Sequence, residues 1–200
     1  MPGTYPTDPE FRSINFDSTF GMMSDPSHSG RRFDRLIGGQ HWMFSLEYND
    51  SLTRAQYEKI FAFIQKQNNG FFDFTIRLPD KNTPRGIPSG TPLVNGAGQV
   101  GSAIITDGWA VSTNNLLLEG DIIKFNGHSK VYMVVDPVNS NGSGQATINI
   151  SPALINSIAD NETIVTSNVP FKVKLNSTSI AYGGRPGGFY SMDISVKEFY

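Results

Sequence analysis

The chain has 200 residues, with 16 basic and 18 acidic side chains, a formal net charge of −2 and no cysteine. A near-neutral chain lacks the Lys and Arg excess that grips phosphate by counterion release, so a basic nucleic-acid binder is excluded as a first reading. The missing thiols exclude disulfides, thiolate metal sites and cysteine nucleophiles. Charged residues are 17% of the chain, below the roughly 25% of a typical soluble domain, while 20 glycines and 12 prolines announce many turns and 14 phenylalanines supply a core. Met1-Pro2-Gly3-Thr4-Tyr5-Pro6 has neither the basic start nor the apolar run of an export signal. No apolar stretch approaches the roughly 20 residues of a membrane-crossing helix, so a soluble protein of one or two domains is expected.

In chain order, residues 11–16 predict a short strand, followed by a polar Gly/Ser/Asp loop to about Gly30 and the basic cluster Arg31-Arg32-Phe33-Asp34-Arg35. Trp42, Phe44, Leu46 and Tyr48 then alternate with His41, Met43, Ser45 and Glu47, the pattern of a half-buried strand. Thr53 and Gln56 have the spacing of a capping box, and Tyr57, Ile60, Phe61 and Ile64 fall on one helical face. A helix is predicted over about 54–67, stopped by Asn68-Asn69-Gly70. Phe72, Phe74, Ile76 and Leu78 predict a second strand over 71–78, ended by Pro79.

From there to about Asn168 the chain reads as short strands: 100–106, 116–118, 122–125, 131–135, 146–150 and 163–166. Asn126-Gly127 predicts a type I′ hairpin turn, which needs positive φ at both positions. Six strands in so short a segment suit a small barrel or sandwich. Longer alternation returns at Phe171, Val173 and Leu175 and over 189–200. The fold expected is mainly β: an α+β outer domain from residues 1–79 and 168–200, one helix packed on a sheet or sandwich, and an inserted small β-barrel over 80–167. The Pro- and Gly-rich run 79–101 would be the outgoing linker and Asn168-Val169-Pro170 the return.

Candidate chemistry is sparse. Gly96-Ala97-Gly98-Gln99-Val100-Gly101 matches GxGxxG, with Glu119 downstream, but a short β run follows it where the dinucleotide fingerprint needs a helix. His28, His41 and His128 stand apart with no HxH or HExxH spacing, so no metal site is expected. Gly127-His128-Ser129-Lys130-Val131 lacks the last glycine of a GxSxG elbow, and no catalytic residue or cofactor is assigned. Asp107, Glu119 and Asp121 could form a carboxylate pair for glycoside hydrolysis, yet Leu118-Glu119-Gly120-Asp121 also reads as a tight turn. The sequons at Asn141, Asn149, Asn161 and Asn176 lack the export context that would give them meaning. Arg31, Arg32, Phe33 and Arg35 are the candidate subunit interface, since the planar Arg fork is favoured at interfaces; the same charges could instead guard a solvated edge strand.

Several segments together resemble the distal tail or minor tail proteins of long-tailed, siphovirus-like bacteriophages. Residues 11–16, the run Gly38-Gly39-Gln40-His41-Trp42 into Leu52-Thr53-Arg54-Ala55-Gln56, and Phe61-Ala62-Phe63-Ile64 look like their N-terminal domain. Residues 118–132 look like the inserted domain common in that group, and Val169-Pro170-Phe171 and the strand 190–196 fit as well. The resemblance implies a structural virion component of the tail tip or baseplate, made in the host cytoplasm and without enzymatic activity. Such a protein forms a homo-oligomeric ring, usually a hexamer, joining the tail tube protein to the tail-tip hub protein. DNA would pass through the lumen, with no membrane insertion, and a subunit of charge −2 would not retard it. An alternative is a carbohydrate-binding module in which Trp109 and Tyr132 of the barrel stack on host-surface sugar, and a third reading is a cell-wall hydrolase.

Overall fold

The computed structural model describes residues 3–26 and 28–200. In chain order the elements are β1 (Ser13–Pro26), β2 (Arg32–Glu47), α1 (Arg54–Lys66), β3 (Phe74–Ile76), β4 (Gly90–Val94), β5 (Ala103–Trp109), β6 (Ile122–Phe125), β7 (Val131–Val134), β8 (Ala146–Ser151), β9 (Ile164–Val165), β10 (Phe171–Leu175), β11 (Gly183–Arg185), β12 (Phe189–Ser191) and β13 (Asp193–Glu198). The protein is mainly β, with one α-helix among the described residues. It divides into two compact units, Met1–Thr75 with Val173–Phe199, and Ile76–Lys172 with Tyr200.

The first unit carries a five-stranded sheet in the order β1-β2-β13-β10-β3. Its buried face follows from period-two alternation: Trp42, Phe44 and Leu46 on β2 are buried, as are Ile194 and Val196 on β13. Phe16 on β1 stacks across the ladder on Trp42 at 4.6 Å and on Phe44 at 5.2 Å between ring centroids. Helix α1 buries Tyr57, Ile60 and Ile64. Its capping box forms as the spacing predicts: Gln56 N–H donates to Thr53 Oγ1 at 3.4 Å, and Thr53 N–H donates to Gln56 Oε1 at 3.0 Å. Three successive left-handed residues, Asn68, Asn69 and Gly70, with φ of 50°, 47° and 94°, end it. Phe63 meets Tyr5 and Phe74 edge-on, both at 5.4 Å. The phenols of Tyr5 and Tyr48 share a buried hydrogen bond of 2.7 Å, and burial raises both above the usual tyrosine range.

Three local expectations change here. Of the loop placed between residue 16 and Gly30, residues 17–26 are strand, because β1 runs on to Pro26 paired with the first half of β2; Ser27 lies outside the described residues and 28–30 turn the chain. The strand expected over 71–78 shrinks to Phe74–Ile76, since the helix-ending turn continues to Phe72, whose N–H donates to Gln67 O at 3.2 Å. Before the final strand, Gly183–Arg185 pairs with Phe189–Ser191 as a small hairpin that the glycine-rich sequence hides.

The second unit is a six-stranded barrel-like sheet in the order β4-β5-β8-β7-β6-β9. A bridge between Leu93 and Thr163, flanked by Val94 N–H donating to Glu162 O at 3.0 Å, brings β9 back against β4 and nearly closes it. This near-closure covers much of the edge that a six-stranded open sheet would expose. Ala146, Ile148 and Ile150 of β8 point inward with Ile104, Ile123, Phe125 and Val134 to form the core. Gly108, at φ 74°, lies against Thr91 O with no room for a Cβ, which is why this crossing of β4 and β5 needs glycine.

The first strand of the barrel lies earlier than the sequence suggests. Residues 90–94, read as linker, are strand β4, with a register irregularity between Gly90 and Leu93 that accommodates Pro92. Residues 116–118 contribute a single bridge, Leu117 to Val138, in place of a strand. The β6–β7 hairpin forms around Asn126-Gly127, but neither residue has positive φ and the turn is not type I′. His128 N–H instead donates to Phe125 O at 3.0 Å, and Gly127 N–H donates to Glu162 Oε1 at 2.6 Å, so a side chain sets the turn's shape.

Candidate assembly interface

The feature that stands out on the first unit is the outer half of the β1–β2 hairpin. Pairing with β13 stops at Met43, opposite Lys197, where Glu198 Oε2 accepts Trp42 N–H at 3.3 Å and closes the ladder. Beyond that point β1 and β2 continue alone as a two-stranded ribbon. Gly21 and Gly38 face each other so closely that a Cβ on Gly21 would sit 3.0 Å from Gly38 Cα, at a bulge where β2 carries extra residues. Past it the register resumes with Met22 opposite Leu36 and ends with Pro26 opposite Arg32. Five residues from Gly21 at ~3.3 Å each make an outer arm of about 17 Å.

Apolar side chains stand on both faces of this arm, among the charges of Asp25, Arg32, Asp34 and Arg35. Phe20, Met22 and Leu36 continue the face of Phe16 and Phe44, while Met23 and Phe33 stand on the other. All are exposed, Phe33 at 65% and Leu36 at 67%, and Ile37 in the bulge is open as well. An isolated two-stranded ribbon is marginally stable in water, and exposed apolar side chains gathered on one make it a candidate contact site.

The basic cluster sits at the arm's end: Arg31 just precedes β2, and Arg32, Phe33 and Arg35 lie on its first four residues. Arg32 Nε donates to Asp34 Oδ1 and to Ser24 Oγ, each at 2.7 Å, which pairs two charges within β2 and ties them to a hydroxyl of β1. Charge density locates the arm in the sequence. It misses Phe20, Met22, Met23, Leu36 and Ile37, which are exposed as well; the available signal was six large apolar residues, Phe33 among them, in a segment otherwise read as polar loop and basic cluster.

In the barrel, the two aromatic residues considered for sugar stacking are core residues. Trp109 is 4% exposed with its indole N–H donating to Thr106 Oγ1 at 2.8 Å, and Tyr132 is fully buried. Neither offers a face to a ligand, and the other aromatic rings between Ile76 and Lys172, Phe125 and Phe171, are buried too. Asp121 is likewise committed to structure: its buried carboxylate accepts N–H groups from Arg85 at 2.6 Å, Gly86 at 3.0 Å and Leu118 at 2.8 Å. The GxGxxG segment joins two strands, β4 and β5. Gln99 pins it by donating to Asn95 O, Gly96 O and Ile105 O and accepting Ile105 N–H, so it is an ordered loop and no phosphate cradle.

The family model for the B domain of distal tail protein pb9 matches residues 81–169, the barrel segment. No curated protein matches the chain. The barrel segment is thus similar to the B domain of a distal tail protein, and the match supports the resemblance to phage distal tail proteins read from the sequence.

Proposed function

We propose that this protein is a structural ring component at the distal end of a phage tail, joining the tail tube protein to the tail-tip hub and leaving a lumen for DNA. The observation that carries the reading is the exposed apolar arm of the first unit, in a chain whose barrel segment matches the distal tail family. A heterologous contact, in which one surface of a subunit meets a different surface of its neighbour, closes into a ring when the rotation closes. The arm of one subunit lies on the next, Arg31, Arg32, Phe33 and Arg35 within the contact, and six copies make the ring. A charge of −2 per subunit suits DNA transit, because nothing condenses onto the phosphates. The protein works through its surfaces rather than as a catalyst.

Mass photometry of the purified chain, with negative-stain images of the same sample, tests this. A closed ring of one stoichiometry is expected, hexameric in mass. A strict monomer at micromolar concentration that also fails to join tube and hub proteins would overturn it. Sugar binding by the barrel through Trp109 and Tyr132 has no support, because both rings are inside the core.

A further inference from the structure

A second surface of the first unit has the chemistry of a ligand groove. Its walls are the turn after α1, Asn68 to Phe71, and the chain leaving β10, Leu175 to Thr178, around a volume of about 480 Å³. That is within the roughly 300–1,000 Å³ range of small-molecule sites. Both walls are held by backbone bonds: Phe71 N–H donates to Asn68 O at 3.3 Å and Asn176 N–H to Ser195 O at 2.9 Å. Gly70, at φ 94°, packs against Leu175 so tightly that a Cβ would sit 3.0 Å from the leucine Cβ, which fixes the distance between the walls.

The lining is uncharged throughout. Asn69 Oδ1 accepts Gln65 Nε2 at 3.1 Å, and Ser177 Oγ donates to Ser179 O at 2.7 Å, so these two polar groups are positioned from within. Asn68, Asn176 and Thr178 are exposed, and Phe71 is 71% open at the rim, braced edge-on by Phe72 at 5.0 Å. Carboxamides and hydroxyls donate and accept at once, as sugar hydroxyls do. A braced phenyl ring supplies the flat apolar face on which the C–H side of a pyranose can lie. The absence of charge from the lining disfavours phosphate, carboxylate and nucleic acid.

We infer that this groove is a binding site for a neutral saccharide, with Phe71 as the stacking ring and Asn68, Asn176 and Thr178 as hydroxyl partners. The site lies within the helix-bearing unit, outside the segment that matches the distal tail family, and it does not depend on ring formation.

Saturation-transfer NMR on the full chain tests it, using lactose, maltose, N,N′-diacetylchitobiose and a β-1,6-linked glucose disaccharide at millimolar concentration. Transfer to at least one of them is expected. Phe71→Ala should weaken it about tenfold and Asn176→Ala about fivefold, while Phe71→Trp retains it. Phe71 and Asn176 are exposed, so the melting curves should not move. No transfer to any sugar, or transfer indifferent to both alanine variants, would overturn the inference. Mass photometry of the same samples reads assembly separately, so a failed ring and a failed sugar site are told apart.

Discussion

Replacing Phe33 and Leu36 together by serine removes apolar area from both faces of the arm. Phe33 is 65% exposed; with roughly 200 Å² for a whole phenylalanine, ~130 Å² awaits cover, worth about 3 kcal/mol at ~25 cal/mol per Å². Leu36 is 67% exposed, and two thirds of the ~1.5–3 kcal/mol for burying a leucine adds about 1–2 kcal/mol. The double variant should therefore lose ~4–5 kcal/mol per subunit contact, about a thousandfold or more in dissociation constant. Because neither side chain is buried within its own chain, the monomer's stability should change by less than ~0.5 kcal/mol. Sedimentation velocity across a concentration series reads the first quantity and urea unfolding of the monomer reads the second. An oligomer that persists undiminished in the variant would show that the arm is not the contact. A monomer destabilised by several kcal/mol would show that these residues pack within the chain.

Asp121→Ala should destabilise the barrel by about 3–5 kcal/mol, since three backbone donors lose one buried carboxylate; urea unfolding measures it, and Asp121→Asn should recover part of the loss. Gly108→Ala should cost about 2–4 kcal/mol, from the left-handed φ and the approach to Thr91 O, with a correspondingly lower Tm. Thr53→Ala, which breaks the capping box, should cost ~1 kcal/mol by the same measurement, whereas Thr53→Ser should be almost neutral. The phenols of Tyr5 and Tyr48 are raised by burial and that of Tyr57 is pushed up to about 12. The unfolded chain therefore deprotonates first, at about pH 10, and stability is unaffected below that and falls as pH rises further. The last part of the rise in tyrosinate absorbance should coincide with loss of circular dichroism; ionisation of all seven tyrosines while the fold persists would contradict it.

What could be read from the sequence was what has a local cause. The capping box needs only Thr53 and Gln56, and the β2 alternation from Trp42 to Tyr48 records a strand with one face in the core. The same logic explains the failures. β1 beyond Phe20 has no core to face, so its Gly, Ser, Asp and Pro content reads as loop although the backbone is paired residue by residue with β2. β4 is hidden by Gly90, Thr91 and Pro92, residues tolerated because the ladder is irregular there. Trp109 and Tyr132 look like sugar platforms in a chain where burial is invisible, and only the closed sheet shows them facing inward. The groove at Phe71 joins segments a hundred residues apart, a distance over which sequence carries no signal of contact.

The barrel clips its own two ends together. Asn168 N–H donates to Asn82 O at 2.7 Å, and Arg77 Nε donates to Asn168 O at 3.1 Å, so the chain arrives and departs through one narrow gate. A module with a gate of fixed width makes a single demand on its host: two chain ends the right distance apart. Any other module with the same gap could be exchanged for it without redrawing the sheet and helix that carry it. Lineages could thus trade the middle of this protein freely while the surrounding unit stays under the constraint of its own contacts, and the two parts of one chain would be free to change at different rates.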